Sequence, residues 1–149
     1  MTPDDEQSQS KEMRPYRRLF LSLALSYVVM FAVMYARVDA ADNIFLSLNQ
    51  AYMAGLMVAP MLLIMLLTMG HMFKNRRLNG VLVATGIGLT ALFLVLVRTQ
   101  TAVGNEQFLS SMIPHHAAAI LVCEEAAITD PRIEQLCVEI IEAQEREIR

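Results

Sequence analysis

The sequence predicts an all-α membrane protein, three transmembrane helices followed by an extracytoplasmic antiparallel helical hairpin. Three observations carry that expectation. Apolar residues gather in three nearly uncharged runs, about 19–36, 51–73 and 78–97, and about 20 such residues cross a bilayer as a helix. Lysine and arginine crowd the first and third polar segments but not the second. Beyond Arg98, apolar residues recur at helical spacing on both sides of an Asp-Pro turn. Hydrophobic residues make up 55% of the 149-residue chain, with 11 methionines and no tryptophan. A chain this short lacks the mass to enclose three such helices in a soluble core.

Residues 1–15 are polar, with Pro, Ser and Gln, and are expected to form a disordered cytoplasmic N-terminus. Residues 16–98 form the three-helix transmembrane region. Lys11, Arg14, Arg17 and Arg18 precede its first helix, and Lys74, Arg76 and Arg77 fill its second short loop. The first loop, 37–49, carries one arginine and two aspartates. The positive-inside rule places the N-terminus and second loop in the cytoplasm, so a third crossing leaves residues 99–149 outside. In a bacterium this means an inner-membrane protein with a periplasmic C-terminal domain. Val38-Asp39-Ala40 resembles a small-residue cleavage site; the alternative, in which residues 1–40 are a signal peptide, leaves the tail on the same side.

Within the membrane, Met53, Met57, Met61, Met65 and Met69 step by four along the second helix. A four-residue step drifts about 40° per turn, so the stripe winds around the helix. It reads either as adaptable packing or as a ladder for Cu(I). Pro60 is expected to kink this helix, and His71 to sit at its interfacial end. Gly80, Ala84 and Gly88 on the third helix, with Gly55 and Ala59 on the second, allow close helix packing or homo-oligomerisation. The third helix is expected to run past Arg98 toward Phe108, with Gly104 a weak point.

Residues 99–149 form the hairpin domain. Phe108, Met112, His116, Ile120, Cys123 and Ala127 share one helical side, as do Ile133, Leu136, Cys137, Ile140, Gln144 and Ile148. Asp130 suits an N-cap and Pro131 a first helical position. Pro114 is expected to end or kink the incoming helix. Facing residues of an antiparallel pair have a constant sum of positions, here about 260. Cys123 therefore faces Cys137, His116 faces Gln144, and Met112 lies level with Glu147 and Ile148.

Chemistry-bearing residues concentrate in this domain. Met112 lies one turn before His115 and His116, and a thioether with imidazoles is a soft donor set suited to copper or silver, Cu(I) above all. Cys123 and Cys137 are either thiolate co-ligands or a disulfide tying the hairpin. Glu124, Gln144 and Glu147 are auxiliary candidates. The spacing is not that of a zinc finger, no Glu-x-x-His pair marks a di-iron bundle, and no nucleophile–His–acid order stands out. The acidic tail disfavours nucleic acid. No organic cofactor and no enzymatic activity are expected.

The stretch Phe108–Ile148, FLSSMIPHHAAAILVCEEAAITDPRIEQLCVEIIEAQEREI, resembles the bacterial family called domain of unknown function 305. The shared hallmark is Met-Ile-Pro-His-His at Met112–His116, then Ala119 and Ile120, then Gln144, Glu147 and Ile148. The resemblance implies a ferritin-like helical fold, here a half-bundle, in the subgroup with membrane helices ahead of the domain. It also implies copper or silver binding through Met and His, as in some soluble periplasmic members. The chain departs from the pattern at Val122, where many members carry methionine, and at Arg149, beyond which relatives usually continue. The expectation is thus a membrane-anchored metal-binding protein that buffers copper or silver or hands it on, with Met112, His115 and His116 as its ligands. The rival is a structural or interaction protein whose hairpin docks a partner or self-associates without metal, its histidines hydrogen-bonded to Gln144 and Glu147.

Overall fold

This computed structural model of the protein describes the backbone of residues 3–149 and the side chains of residues 13–149. The described chain is all-helical: α1 (Pro3–Val33), α2 (Leu48–Thr68), α3 (Arg76–Thr99), α4 (Asn105–Glu125) and α5 (Pro131–Ile148), with short 3-10 segments at Met34–Arg37, Ala41–Asn43 and Gly70–Met72. Three helical stretches, Met13–Arg37, Leu48–Thr68 and Arg76–Thr99, are long and apolar enough to cross a membrane. Helix α1 begins inside the leader expected to be irregular; Met1 and Thr2, the rest of that leader, lie outside the described residues.

The chain divides into two compact units. One runs to Met30 and resumes at Tyr52–Thr99; the other joins Phe31–Ala51 to Gln100–Arg149.

In the first unit, Tyr16, Leu19, Leu62, Leu66, Phe73 and Leu82 form a buried cluster. Tyr16, only 2% exposed, stacks obliquely on Phe73 with ring centroids 5.1 Å apart. Its hydroxyl donates to Asn79 Oδ1 at 2.8 Å and accepts from the Asn75 N–H at 3.2 Å. Asn79 in turn donates to the Phe73 carbonyl at 2.8 Å. A buried hydroxyl without partners costs free energy, and this clasp satisfies it twice. Helix α2 was expected to reach Phe73 and stops at Thr68. Met69 leaves the helical region (φ −110°, ψ 21°), and Asn75 restarts the chain by accepting the Leu78 N–H at 3.0 Å, an N-cap for α3.

Close approach in this unit uses Gly55, one of the expected small residues, and Gly86, which lies outside the expected stripes. A Cβ at Gly55 would stand 2.5 Å from the Phe93 ring, and one at Gly86 would stand 2.7 Å from Leu63, whereas Gly80 and Gly88 face open space. The methionine stripe is likewise divided: Met65 packs against the buried cluster, while Met57 and Met69 are exposed. Helix α2 runs unbroken through Pro60.

In the second unit, α4 lies along α5 and also meets both 3-10 segments of the first loop. That loop is tied down twice. The Leu48 N–H donates to Gln107 Oε1 at 2.8 Å, and Gln100 Nε2 donates to Asn49 Oδ1 at 3.2 Å. Helix α3 ends at Thr99 rather than running on, because Gln100 (φ 50°) and Ala102 (φ 62°) take left-handed conformations, the usual way to stop a helix. Gly104 is then the N-cap of α4.

Candidate functional site

The hairpin positions the residues singled out by the sequence. Its turn is built as the sequence indicates: Asp130 is the N-cap of α5, its carboxylate accepts the Arg132 N–H at 2.9 Å, and Pro131 follows in the first turn. The Arg132 guanidinium also pairs with Asp130 at 2.8 Å. That guanidinium, then the backbone N–H groups, hold the Asp130 carboxyl below its ordinary value. Asp130 raises Arg132 in return.

Of the two outcomes expected at Pro114, an end or a kink, the structure rules out the first. It runs from Asn105 to Glu125 with Pro114 buried inside it. Proline forfeits one helical hydrogen bond, but its ring is packed, and Ser111, also buried, donates back to the Phe108 carbonyl at 2.8 Å. The Met-Ile-Pro-His-His segment therefore lies on one continuous helix, and Met112 stays one turn from both histidines.

Cys123 and Cys137 are joined by a disulfide, with Cα atoms 5.3 Å apart. Of the two roles open to them, the structure holds the cross-link. Neither sulfur is then a thiolate, so both cysteines leave the ligand set.

His116 faces Glu147 rather than Gln144: Nδ1 lies 3.0 Å from Glu147 Oε2. The physical reason is the lean of helical side chains toward their own N-terminus. On antiparallel helices His116 and Glu147 lean toward each other, which closes a pairing that the position sum places one turn apart. The imidazole is 16% exposed and the carboxylate 56%. His115 is exposed, with its ring centroid 6.0 Å from that of His116 and the planes at 64°. Met112 is half-buried, as is Gln144; Glu124 is exposed. Among the described residues, no group of three or more His, Cys, Asp or Glu side chains converges as a metal cage. Any soft-metal set here rests on Met112 with the two imidazoles. The packing of the first loop on α4 was not read from the sequence, and only the polar residues Asn49 and Gln107 hint at it.

Comparison with known proteins agrees with the motif and extends it. Residues 67–149 match the family described as Domain of unknown function (DUF305). That match starts well before the hairpin and takes in all of α3, beyond the 41 residues that carry the visible resemblance. The chain is also 31% identical over 112 residues to "Uncharacterized protein L153" of Acanthamoeba polyphaga mimivirus, covering 74% of this chain and 72% of that protein. No solved structure matches it. With its family hallmark carried on a continuous α4, the chain belongs to the DUF305 family.

Proposed function

We propose that the protein is a membrane-anchored binder of a soft metal ion, copper(I) or silver(I), held by Met112, His115 and His116 outside the cytoplasm. The observation that carries this reading is the 3.0 Å pairing of His116 Nδ1 with Glu147. A carboxylate on one imidazole nitrogen fixes the ring and its tautomer and leaves Nε2 as the free donor, the usual arrangement behind a metal-binding histidine. The neighbouring His115 ring, 6.0 Å away, is at a separation that two metal–nitrogen bonds of about 2 Å each, added to the ring radii, can span. Thioether and neutral imidazole favour Cu(I) and Ag(I) over harder ions. The bound ion is cargo to be buffered or handed on.

Placement outside the cytoplasm follows from charge. Arg14, Arg17, Arg18, Lys74, Arg76 and Arg77 flank one end of the apolar spans, while Asp39 and Asp42 sit in the intervening loop. The Cys123–Cys137 cross-link suits an oxidising compartment such as the periplasm.

A second reading has its own observation: among the described residues, no three His, Cys, Asp or Glu side chains converge. In it the His116–Glu147 pair is a polar seam contact and the hairpin docks a partner. Titration of the full-length protein in detergent with Cu(I), Ag(I), Cu(II) and Zn(II) separates the two. The metal reading expects tight Cu(I) and Ag(I) binding and weaker Zn(II). Each of His115→Ala, His116→Ala and Met112→Leu should lower Cu(I) affinity, the last at a packing cost below about 1.5 kcal/mol. A triple variant that binds Cu(I) as tightly as the parent would leave the seam reading in possession.

A further inference from the structure

We infer that the first unit holds an anionic phospholipid, its phosphate on Arg14, Arg17 and Arg18 and an acyl chain in the groove among α1, α2 and α3. This rests on the reading of the chain as a membrane protein, and not on the metal site.

Three observations converge on α1. Arg14, Arg17 and Arg18 are all exposed and stand at i, i+3 and i+4, on one side of the helix. Three like charges in that arrangement repel one another unless an anion lies among them. Among the described residues none of the three is ion-paired. The same three arginines line a cavity of about 710 Å³ whose remaining described wall is Phe20, Leu21 and Ala24. Its lining thus changes from cationic to apolar within two turns of α1.

A second cavity, of about 320 Å³, adjoins the same stretch of α1. It shares Phe20 and Ala24 as walls and continues between Leu23 of α1, Leu62 of α2 and Leu82 of α3. The two volumes fall within the roughly 300–1,000 Å³ of ordinary ligand pockets. A soluble phosphate would use the arginines and leave the apolar groove without an occupant. A purely apolar molecule would fill the groove and leave three guanidinium groups unanswered. A molecule with a phosphate at one end and a hydrocarbon chain at the other matches both, in the order in which α1 presents them. Guanidinium groups suit the phosphate oxygens geometrically as well as in charge, and basic residues beside a membrane helix favour anionic lipid headgroups.

The test uses the full chain, purified in a mild detergent and examined by native mass spectrometry with added lipid. Phosphatidylglycerol, phosphatidylcholine and glycerol 3-phosphate are titrated separately. Phosphatidylglycerol should bind at least about tenfold more tightly than phosphatidylcholine, an interval that three guanidinium contacts readily supply, and glycerol 3-phosphate should not compete with it. Arg14→Gln, Arg17→Gln and Arg18→Gln together should abolish the preference. Ala24→Phe, which fills the groove and spares the arginines, should weaken both lipids. Equal binding of the two lipids overturns the inference, and so does a triple variant that keeps the preference. Glycerol 3-phosphate competing on equal terms would mean a free-phosphate site and would also overturn it. If the triple variant fails to fold, the comparison of the two lipids on the parent chain decides alone. A parent chain released from membranes by alkaline carbonate would sink the membrane reading itself and the lipid site with it, while leaving metal titration of the hairpin unaffected.

Discussion

Glu147 and Asp130 are both acids on α5, and their surroundings give them different tasks. Glu147 lies against His116 across the hairpin; Asp130 holds the start of its own helix. If Glu147 orients a metal-binding imidazole, Glu147→Ala should cost about 10–100-fold in Ag(I) affinity, whereas Gln144→Ala should cost little. Isothermal titration of both variants reads the difference, and equal losses would remove Glu147 from the site. Asp130 makes a prediction about acid. Its folded carboxyl sits below the ordinary 3.8, chiefly through the Arg132 guanidinium. A depressed carboxylate adds stability that is complete above the unfolded value and is lost as pH falls through the folded one. The melting-temperature gap between the parent and Asp130→Ala should therefore stay constant from neutrality to about pH 5 and close below about pH 4. A gap unchanged at pH 2 would contradict the assignment. The Asp130 cap was legible in the sequence because capping is local: an acid, then proline, then a helical repeat. The partner of His116 was legible only to within a turn, since counting positions locates backbones and takes no account of how side chains lean.

The hairpin gains most of its definition from one cross-link. Every described residue of α5 is at least partly exposed, so burial alone secures it weakly. The Cys123–Cys137 bond closes a loop with a sequence separation of 14, for which chain entropy gives about 3 kcal/mol. Cys123→Ser with Cys137→Ser should lower hairpin stability by about that amount, visible as faster amide exchange across α5, yet leave Cu(I) binding through Met112, His115 and His116 largely intact. Loss of Cu(I) binding in a variant that remains folded would return the cysteines to the metal site. This pairing could be read in advance because 123 and 137 are equidistant from the turn. The continuity of α4 through Pro114 could not: the rule that proline ends a helix is statistical, and here the proline is buried within an unbroken helix. Gly55 was legible as part of a small-residue stripe, but Gly86 was not, since such a stripe permits close approach without saying which face meets a neighbour. Phe93 and Leu63 decide that, and neither is near them in sequence.

At the scale of the whole molecule the strongest determinant is where the charges stop. Three helices are apolar enough to span a membrane, and many of their large side chains, Leu21, Val28, Ile64, Leu67, Ile87 and Val95 among them, are exposed. In water such surface would drive aggregation; in lipid it is the proper boundary. Which way the spans run depends on lysine and arginine near their ends, because moving these residues across a bilayer costs more than keeping them inside. On the proposed topology Arg14, Arg17 and Arg18, at one end of the first span, and Lys74, Arg76 and Arg77, around the start of α3, would fall on the same side of an alternating path. An odd number of crossings would then put α4 and α5 opposite them, as proposed above. Alkaline phosphatase, active only when exported, should be active when fused after Arg149 and inactive when fused after Asn75. A fluorescent protein that matures only in the cytoplasm should show the reverse. Replacing Arg14, Arg17 and Arg18 with glutamine while adding three lysines to the 37–49 loop should weaken or invert the pattern, because the charge bias is the cause proposed for it. If the two reporters keep their original sides in that variant, orientation has another determinant. If the phosphatase is silent after Arg149 in the parent chain, the hairpin is cytoplasmic.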